Sequence, residues 1–166
     1  MYIDDVPDGL LSAYLGRHLE EDLRSFEKDV DLTYEEIVFT SSMGYEGLLS
    51  NAKLQTAHVA IIDSKLFDLS NADGGMLTGE MLRIILRKCL PYLETIVITS
   101  QEDNAFLKIS TLRKYNRAVD RDVKAEEYYR NLLRVPLRTA VTSIKMTRLI
   151  GGSLNGSIIC LLYTSD

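Results

Sequence analysis

VAIID, at residues 59–63, is the stretch that decides the fold: four apolar residues in a row are followed by an acid. A short and almost wholly apolar run is typical of a strand buried on both faces, as in a parallel sheet. Similar short runs occur at residues 1–3, 37–39 and 95–98. Amphipathic stretches separate these runs, and the alternation predicts an α/β domain with a parallel sheet.

The stretches between the strands predict helices with one buried face. Apolar residues recur at helical spacing over residues 8 to about 28, over Tyr45–Leu54 and over Gly79–Leu90. Charged residues fall between them, as expected of helices that pack on a sheet. Pro91 ends the third of these helices.

The C-terminal part of the chain gives weaker signals before one strong one. Residues 105–109 predict one short helical turn, and residues 110–113 predict a fifth strand leading to Lys114. A long final helix is predicted over residues 122 to about 149. Pro136 is expected to kink this helix or divide it in two.

Composition limits the partners and the compartment. The 166 residues fit one domain, and the net charge of −5 disfavours direct nucleic-acid binding by this segment. No apolar run approaches the length of a membrane span, and the first residues lack the features of a signal peptide. Cys89 and Cys160 form no metal or disulfide pattern, so we expect a reducing, cytoplasmic location, with Cys89 in the core.

The end of the chain is interpreted separately. Residues 149–166 have no helical period beyond the final helix and are taken as a linker or tail. Residues 160–166 match one reading frame of a common sequencing adaptor, so we interpret them as a sequencing artefact. An ordinary tail is the alternative. The predicted domain therefore covers residues 1–148.

Polar residues end three of the predicted strands: Asp4 and Asp5, Asp63, and Thr99. The carboxyl edge of a parallel sheet is where ligands bind, and three carboxylates meeting there would repel one another without a cation between them. Mg²⁺ suits such oxygen ligands. One carboxylate could then act as a nucleophile toward a phosphoryl group, with Thr99 and Lys114 as candidates for phosphate binding.

Each of these residues also has a simpler interpretation. Asp4 and Asp5 alone could form a solvated turn or a helix cap. Asp63 could mark the point where a strand surfaces, and Thr99 could be an ordinary β-branched strand residue. Lys114 could be an exposed surface lysine.

Five segments together resemble the receiver domains of two-component response regulators. They are YIDDVPD at residues 2–8, VAIID at 59–63, GEML at 79–82, IVITS at 96–100, and Lys114. The resemblance covers residues 1–148. It implies a flavodoxin-like, doubly wound fold with a five-stranded parallel sheet and a long C-terminal helix.

The chain departs from the family at several positions. Only 15 positions separate Thr99 from Lys114 (114 − 99), so the fourth helix is expected to be reduced. Tyr115 follows the lysine where the family has proline, and Thr111 stands at the aromatic switch position. Extra residues occur at Asp68–Gly75. These departures lie on the face that usually transmits the signal.

The resemblance implies a magnesium site. Asp5 and Asp63 would ligate Mg²⁺ directly, and Asp4 would do so mainly through water. The backbone carbonyl of Lys65 would supply a further oxygen.

The resemblance also implies a phosphorylation switch. Asp63 would accept a phosphoryl group from a sensor histidine kinase or a phosphotransfer protein, Lys114 would pair with the acyl phosphate, and Thr99 would move toward it. The changed surface would act on a partner. The sequence leaves open whether a C-terminal effector domain is missing and whether the last helix forms a homodimer.

Two alternatives remain open. A pseudo-receiver would keep the fold and act as a protein-interaction module without phosphorylation. A Mg²⁺-dependent hydrolase with an aspartyl nucleophile is less consistent with the sequence, because the acid pair and Asp63 lie on different strands.

Overall fold

The computed structural model describes residues 1–28, 30–40, 42–66, 79–100 and 111–153. Strands and helices alternate along these residues. In chain order they are β1 (Tyr2–Asp4), α1 (Gly9–Arg17), α2 (Leu19–Arg24), β2 (Glu36–Val38), α3 (Gly44–Leu49), α4 (Ala52–Gln55), β3 (Val59–Asp63), α5 (Gly79–Cys89), β4 (Glu94–Thr99), β5 (Thr111–Arg113) and α6 (Ala125–Ser153).

The five strands form one sheet in the order β2-β1-β3-β4-β5, and every neighbouring pair is parallel. This is the predicted flavodoxin-like arrangement, in which the strand order reverses between β1 and β3. The VAIID stretch forms the central strand β3, with the predicted bounds. The carboxyl ends of β1, β3 and β4 therefore lie side by side at one edge.

Helices cover both faces of the sheet, because alternate side chains of each buried strand point to opposite sides. On one face Tyr2, Ile61 and Ile98 pack with α1, α2 and α6. On the other face Ile3 and Ile62 pack with α3, α4 and α5. Two apolar layers thus hold the central strands in place.

The helix predicted over residues 8 to about 28 is wrong in its continuity, because the structure has two helices, α1 and α2. His18 separates them with a φ of −115°, outside the helical range. Its N–H still donates to the Tyr14 carbonyl at 2.9 Å. The interruption is therefore one residue long, and the apolar spacing continues across it.

The helix predicted over Tyr45–Leu54 is likewise two helices, α3 and α4. Asn51 separates them because its backbone is extended and its side chain caps α4. The Asn51 Oδ1 atom accepts from the backbone N–H groups of Lys53 at 2.9 Å and Leu54 at 3.4 Å. Asparagine is one of the preferred N-cap residues. Its extended backbone at position 51 starts a new helix, α4, instead of continuing α3.

The final helix α6 is continuous through Pro136, so the predicted division in two is wrong. Residues on both sides of the proline are buried against the sheet and α1: Tyr129, Leu133, Leu137 and Ala140. The same apolar layer therefore holds both halves of the helix.

Other predictions meet the structure only in part. Cys89 is exposed rather than buried, because Leu90 and Leu93 fill the core at that end of α5. The predicted tail at 149–166 begins too early, because residues 149–153 belong to α6. Three other predictions lie outside the described residues: the short turn at 105–109 with the reduced fourth helix, the extra residues Asp68–Gly75, and the rest of the tail. Across the described residues, no helix is long and apolar enough to cross a membrane.

Candidate functional site

Four side chains stand out as polar or charged groups buried within the described residues: Asp4, Asp63, Thr99 and Lys114. Asp4 is only 1% exposed and Lys114 only 7%. All four lie at or just after the carboxyl end of a strand, where the sequence placed a candidate site. Burying a charge is unfavourable unless it is paired, so this concentration at one edge needs an explanation in function or in pairing.

Lys114 joins the two buried acids. Its Nζ atom lies 2.7 Å from Oδ2 of Asp4 and 2.6 Å from Oδ1 of Asp63. The backbone N–H of Lys114 donates to the Thr99 carbonyl at 2.6 Å, which fixes the start of the lysine beside β4. The simpler alternative, in which Lys114 is an exposed surface lysine, is therefore wrong. The ammonium lies inside the acid cluster.

The third acid, Asp5, completes the cluster from a half-buried position. One carboxylate oxygen from each of Asp4, Asp5 and Asp63 lies within 4.8 Å of the others. Two ligand oxygens on an octahedral Mg²⁺ ion are separated by about 3 to 4 Å, given metal–oxygen distances of about 2.1 Å. The three acids could therefore hold a metal ion after small adjustments.

The protonation equilibria reflect this crowding of acids. Burial raises the pKa of Asp63, and the Lys114 ammonium opposes that shift. Partial burial and the neighbouring Asp4 raise the pKa of Asp5. For Lys114 burial lowers the pKa, but the bonds to Asp4 and Asp63 outweigh it, so the net shift is upward. The cluster favours added positive charge.

Backbone donors orient the acids. The Lys65 N–H donates to Oδ2 of Asp63 at 2.7 Å. The Val6 N–H lies 3.0 Å from Oδ1 of Asp4 and 2.9 Å from Oδ1 of Asp5. Lys65 thus orients Asp63 through its backbone N–H, while metal ligation by its carbonyl stays a prediction. The same holds for the phosphate-binding role of the Thr99 hydroxyl.

Gly79 allows α5 to begin directly against the end of β3. Its N–H donates to the Ser64 carbonyl at 2.9 Å. A Cβ atom added at Gly79 would lie 2.2 Å from the Asp63 carbonyl oxygen, which no side chain can do. The close approach explains the need for glycine here.

Tyr2 is a site residue that sequence reasoning missed. Its hydroxyl donates to Oδ2 of Asp4 and accepts from the Asp8 N–H at 3.2 Å. The sequence interpretation treated Tyr2 only as part of the first strand. A signal was present, because residues two apart on a strand face the same side of a sheet.

The fold and the site define a class: a flavodoxin-like α/β protein with three acids and a buried lysine at the carboxyl edge of its sheet. Comparison with known proteins assigns nothing narrower. No family model, no curated protein and no solved structure matches the chain.

Proposed function

We propose that the chain is a phosphorylatable receiver domain, in which Asp63 accepts a phosphoryl group with the help of Mg²⁺. The observation that carries the proposal is the bridge from Lys114 Nζ to Asp4 at 2.7 Å and Asp63 at 2.6 Å. The bridge joins two buried carboxylates and one ammonium, which are the groups that the proposed nucleophilic attack on phosphorus requires. The parallel sheet presents this cluster at its ligand-binding edge.

Charge balance supports a divalent cation as the cofactor. Three carboxylates and one ammonium leave two negative charges uncompensated (−3 + 1 = −2). One Mg²⁺ ion would neutralise them. Asp5 and Asp63 would be its direct ligands, with Asp4 acting through water and the Lys65 carbonyl as a further oxygen. When bound, the ion would screen the charge on the transferring phosphoryl oxygens.

The proposed reaction is a transfer between two protein side chains. A carboxylate oxygen of Asp63 attacks phosphorus, the P–N bond of a phosphohistidine breaks, and the departing imidazole takes up a proton. The partner is a sensor histidine kinase or a phosphotransfer protein. Lys114 already contacts Asp63 and can pair with the new phosphoryl oxygens, while the Thr99 hydroxyl moves toward them to switch the neighbouring surface.

The test is intact-protein mass spectrometry after incubation with acetyl phosphate and Mg²⁺. We expect one phosphoryl adduct that hydroxylamine removes, as expected of an acyl phosphate, and no adduct in Asp63→Asn. Asp122→Asn, at an exposed position, is the matched control and should be modified like the wild type. An adduct that persists in Asp63→Asn would rule out Asp63 as the acceptor.

A second candidate is a pseudo-receiver that binds a partner without phosphorylation. The observation that favours it is that the Lys114 ammonium pairs with both buried acids, so these acids are partly neutralised by the protein itself. This candidate predicts no phosphoryl adduct and no change in melting temperature on adding Mg²⁺. Either an adduct or a clear Mg²⁺-dependent stabilisation argues against it.

A further inference from the structure

A chain of hydrogen bonds runs from the start of α1 into the acid cluster. The Asp8 N–H donates to the Tyr2 hydroxyl oxygen, and the Tyr2 hydroxyl donates to Oδ2 of Asp4. The same Asp4 oxygen accepts from Lys114 Nζ, which also contacts Asp63. Every link is made between residues that the structure describes as buried or partly buried.

The direction of the Tyr2 proton is fixed by its neighbours. A backbone N–H can only donate, so the Tyr2 oxygen accepts from Asp8 and its own proton points toward Asp4. The ring is fully buried, so it cannot turn away toward water. Burial and the bond to Asp4 both raise the pKa of Tyr2, which keeps the proton on the phenol.

Asp4 is consequently well supplied with donors. Its Oδ1 accepts from the Val6 N–H, and its Oδ2 accepts from Tyr2 and Lys114. Three donors occupy most of the roughly four lone-pair sites of a carboxylate, so they compete with a metal ion for its oxygens. Asp5 forms no ion pair among the described residues and accepts one backbone hydrogen bond, from Val6, so its oxygens are less occupied than those of Asp4.

We propose that Tyr2 is a positioning residue that caps Asp4, keeps it from ligating the cation directly, and leaves Lys114 shared between Asp4 and Asp63. The effect on phosphoryl transfer rests on the proposed function, whereas the coupling between Tyr2 and Asp4 does not. Without the hydroxyl, Asp4 attracts the cation and the ammonium more strongly. Lys114 is then drawn away from Asp63.

The first test compares Tyr2→Phe with wild type in acetyl phosphate reactions over a range of Mg²⁺ concentrations. We expect the half-saturating Mg²⁺ concentration to fall several-fold, because Asp4 is less neutralised. The maximal rate should fall by about tenfold, the lower end of the range for losing a group that orients a ligand. Partial unfolding would lower both the Mg²⁺ affinity and the maximal rate, so a higher affinity together with a lower rate marks positioning.

Tyr14→Phe is the matched control. Tyr14 is also a buried tyrosine in the same apolar layer, but its hydroxyl donates to Asp22 at 2.8 Å, away from the acid cluster. This variant should leave the Mg²⁺ dependence and the maximal rate unchanged. If Tyr2→Phe behaves like Tyr14→Phe in both quantities, the proposal is wrong.

The second test needs neither Mg²⁺ nor a phosphodonor. Melting temperatures are measured in EDTA for wild type, Tyr2→Phe, Asp4→Asn and the double variant, which forms a double-mutant cycle. We expect Tyr2→Phe to lower the melting temperature clearly in the wild-type background and much less in Asp4→Asn. Additive effects would overturn the assignment, even if Asp63 is phosphorylated. Non-additive effects would support the coupling between Tyr2 and Asp4, even if Asp63 is not phosphorylated.

Discussion

At the residue scale, Gly79 connects a helix start to the backbone of the proposed phosphoacceptor. We expect Gly79→Ala to destabilise the fold by about 1–3 kcal/mol, the usual cost of overpacking, because its Cβ would lie 2.2 Å from the Asp63 carbonyl oxygen. Relief requires α5 or the end of β3 to move, so phosphoryl acceptance should also fall. Chemical denaturation measures the first effect and mass spectrometry the second.

Gly9 offers the matched control for this substitution. It is the first residue of α1, and a Cβ atom built there would meet nothing within 4 Å. Gly9→Ala should therefore be neutral or stabilise by up to about 1 kcal/mol, since alanine is the better helix former. Equal effects of the two substitutions would mean that the close approach at Gly79 does not constrain the fold.

The sequence was a good guide to which polar residues meet at one edge of the sheet, for a physical reason. Charged side chains are rarely buried, so acids that end apolar strands, such as Asp4 and Asp63, indicate the edge where a ligand site is expected. Tyr2 was not recognised because a tyrosine in a strand is ordinary. Its spacing from Asp4 places both residues on one side of the sheet but does not show that its hydroxyl reaches the carboxylate. Gly79 was noticed as part of a motif, but its contact with Asp63 is long-range.

At the element scale, strands were predicted better than helices. The apolar runs of β3 and β4 are set by burial on both faces, and the fifth strand was found beside Lys114 as expected. Helix continuity was overestimated, because apolar spacing persists across one distorted residue at His18 and across the cap at Asn51. Periodicity reports which side of a segment is buried and is insensitive to a local break.

The continuous helix α6 gives a prediction about Pro136. The proline has no N–H to donate to the Leu132 carbonyl four residues earlier, a defect that normally costs a helix interior about 3 kcal/mol. We expect Pro136→Ala to raise the free energy of unfolding by about 1–3 kcal/mol in urea titrations. Val135→Ala, at the exposed neighbouring position, should change it by less than about 0.5 kcal/mol.

A loss of stability in Pro136→Ala would contradict this expectation. It would mean that the proline itself helps to seat Leu133 and Leu137 together in the apolar layer.

At the scale of the whole molecule, the acid cluster adds local repulsion to a chain that already carries a net charge of −5. We expect Asp5→Asn to raise the melting temperature in EDTA at pH 7 by about 2 °C, a small shift because solvent screens a half-exposed charge. Added Mg²⁺ should stabilise the wild type and have little effect on the variant, which lacks one proposed ligand. Asp122→Asn is again the control.

The pH dependence of this difference has a definite sign. The pKa of Asp5 is raised in the folded state, so the folded chain binds the proton more tightly than the unfolded chain does. Stability from this group is therefore present at low pH and lost as the pH rises through the folded pKa. The difference in melting temperature between Asp5→Asn and the wild type should vanish below about pH 4, near the ordinary pKa of aspartate. An advantage that persists there would contradict the repulsion argument.

The bridge from Lys114 to Asp4 joins residues 110 positions apart in the chain. A ribosome synthesises the segments of β1 and β3 before it reaches residue 114. During that interval the nascent chain can bring Asp4 and Asp63 together only without their ammonium counter-ion. Until residue 114 has been made, the two buried acids Asp4 and Asp63 lack the ammonium that pairs with both of them, and a truncated chain ending before that residue would lack it permanently.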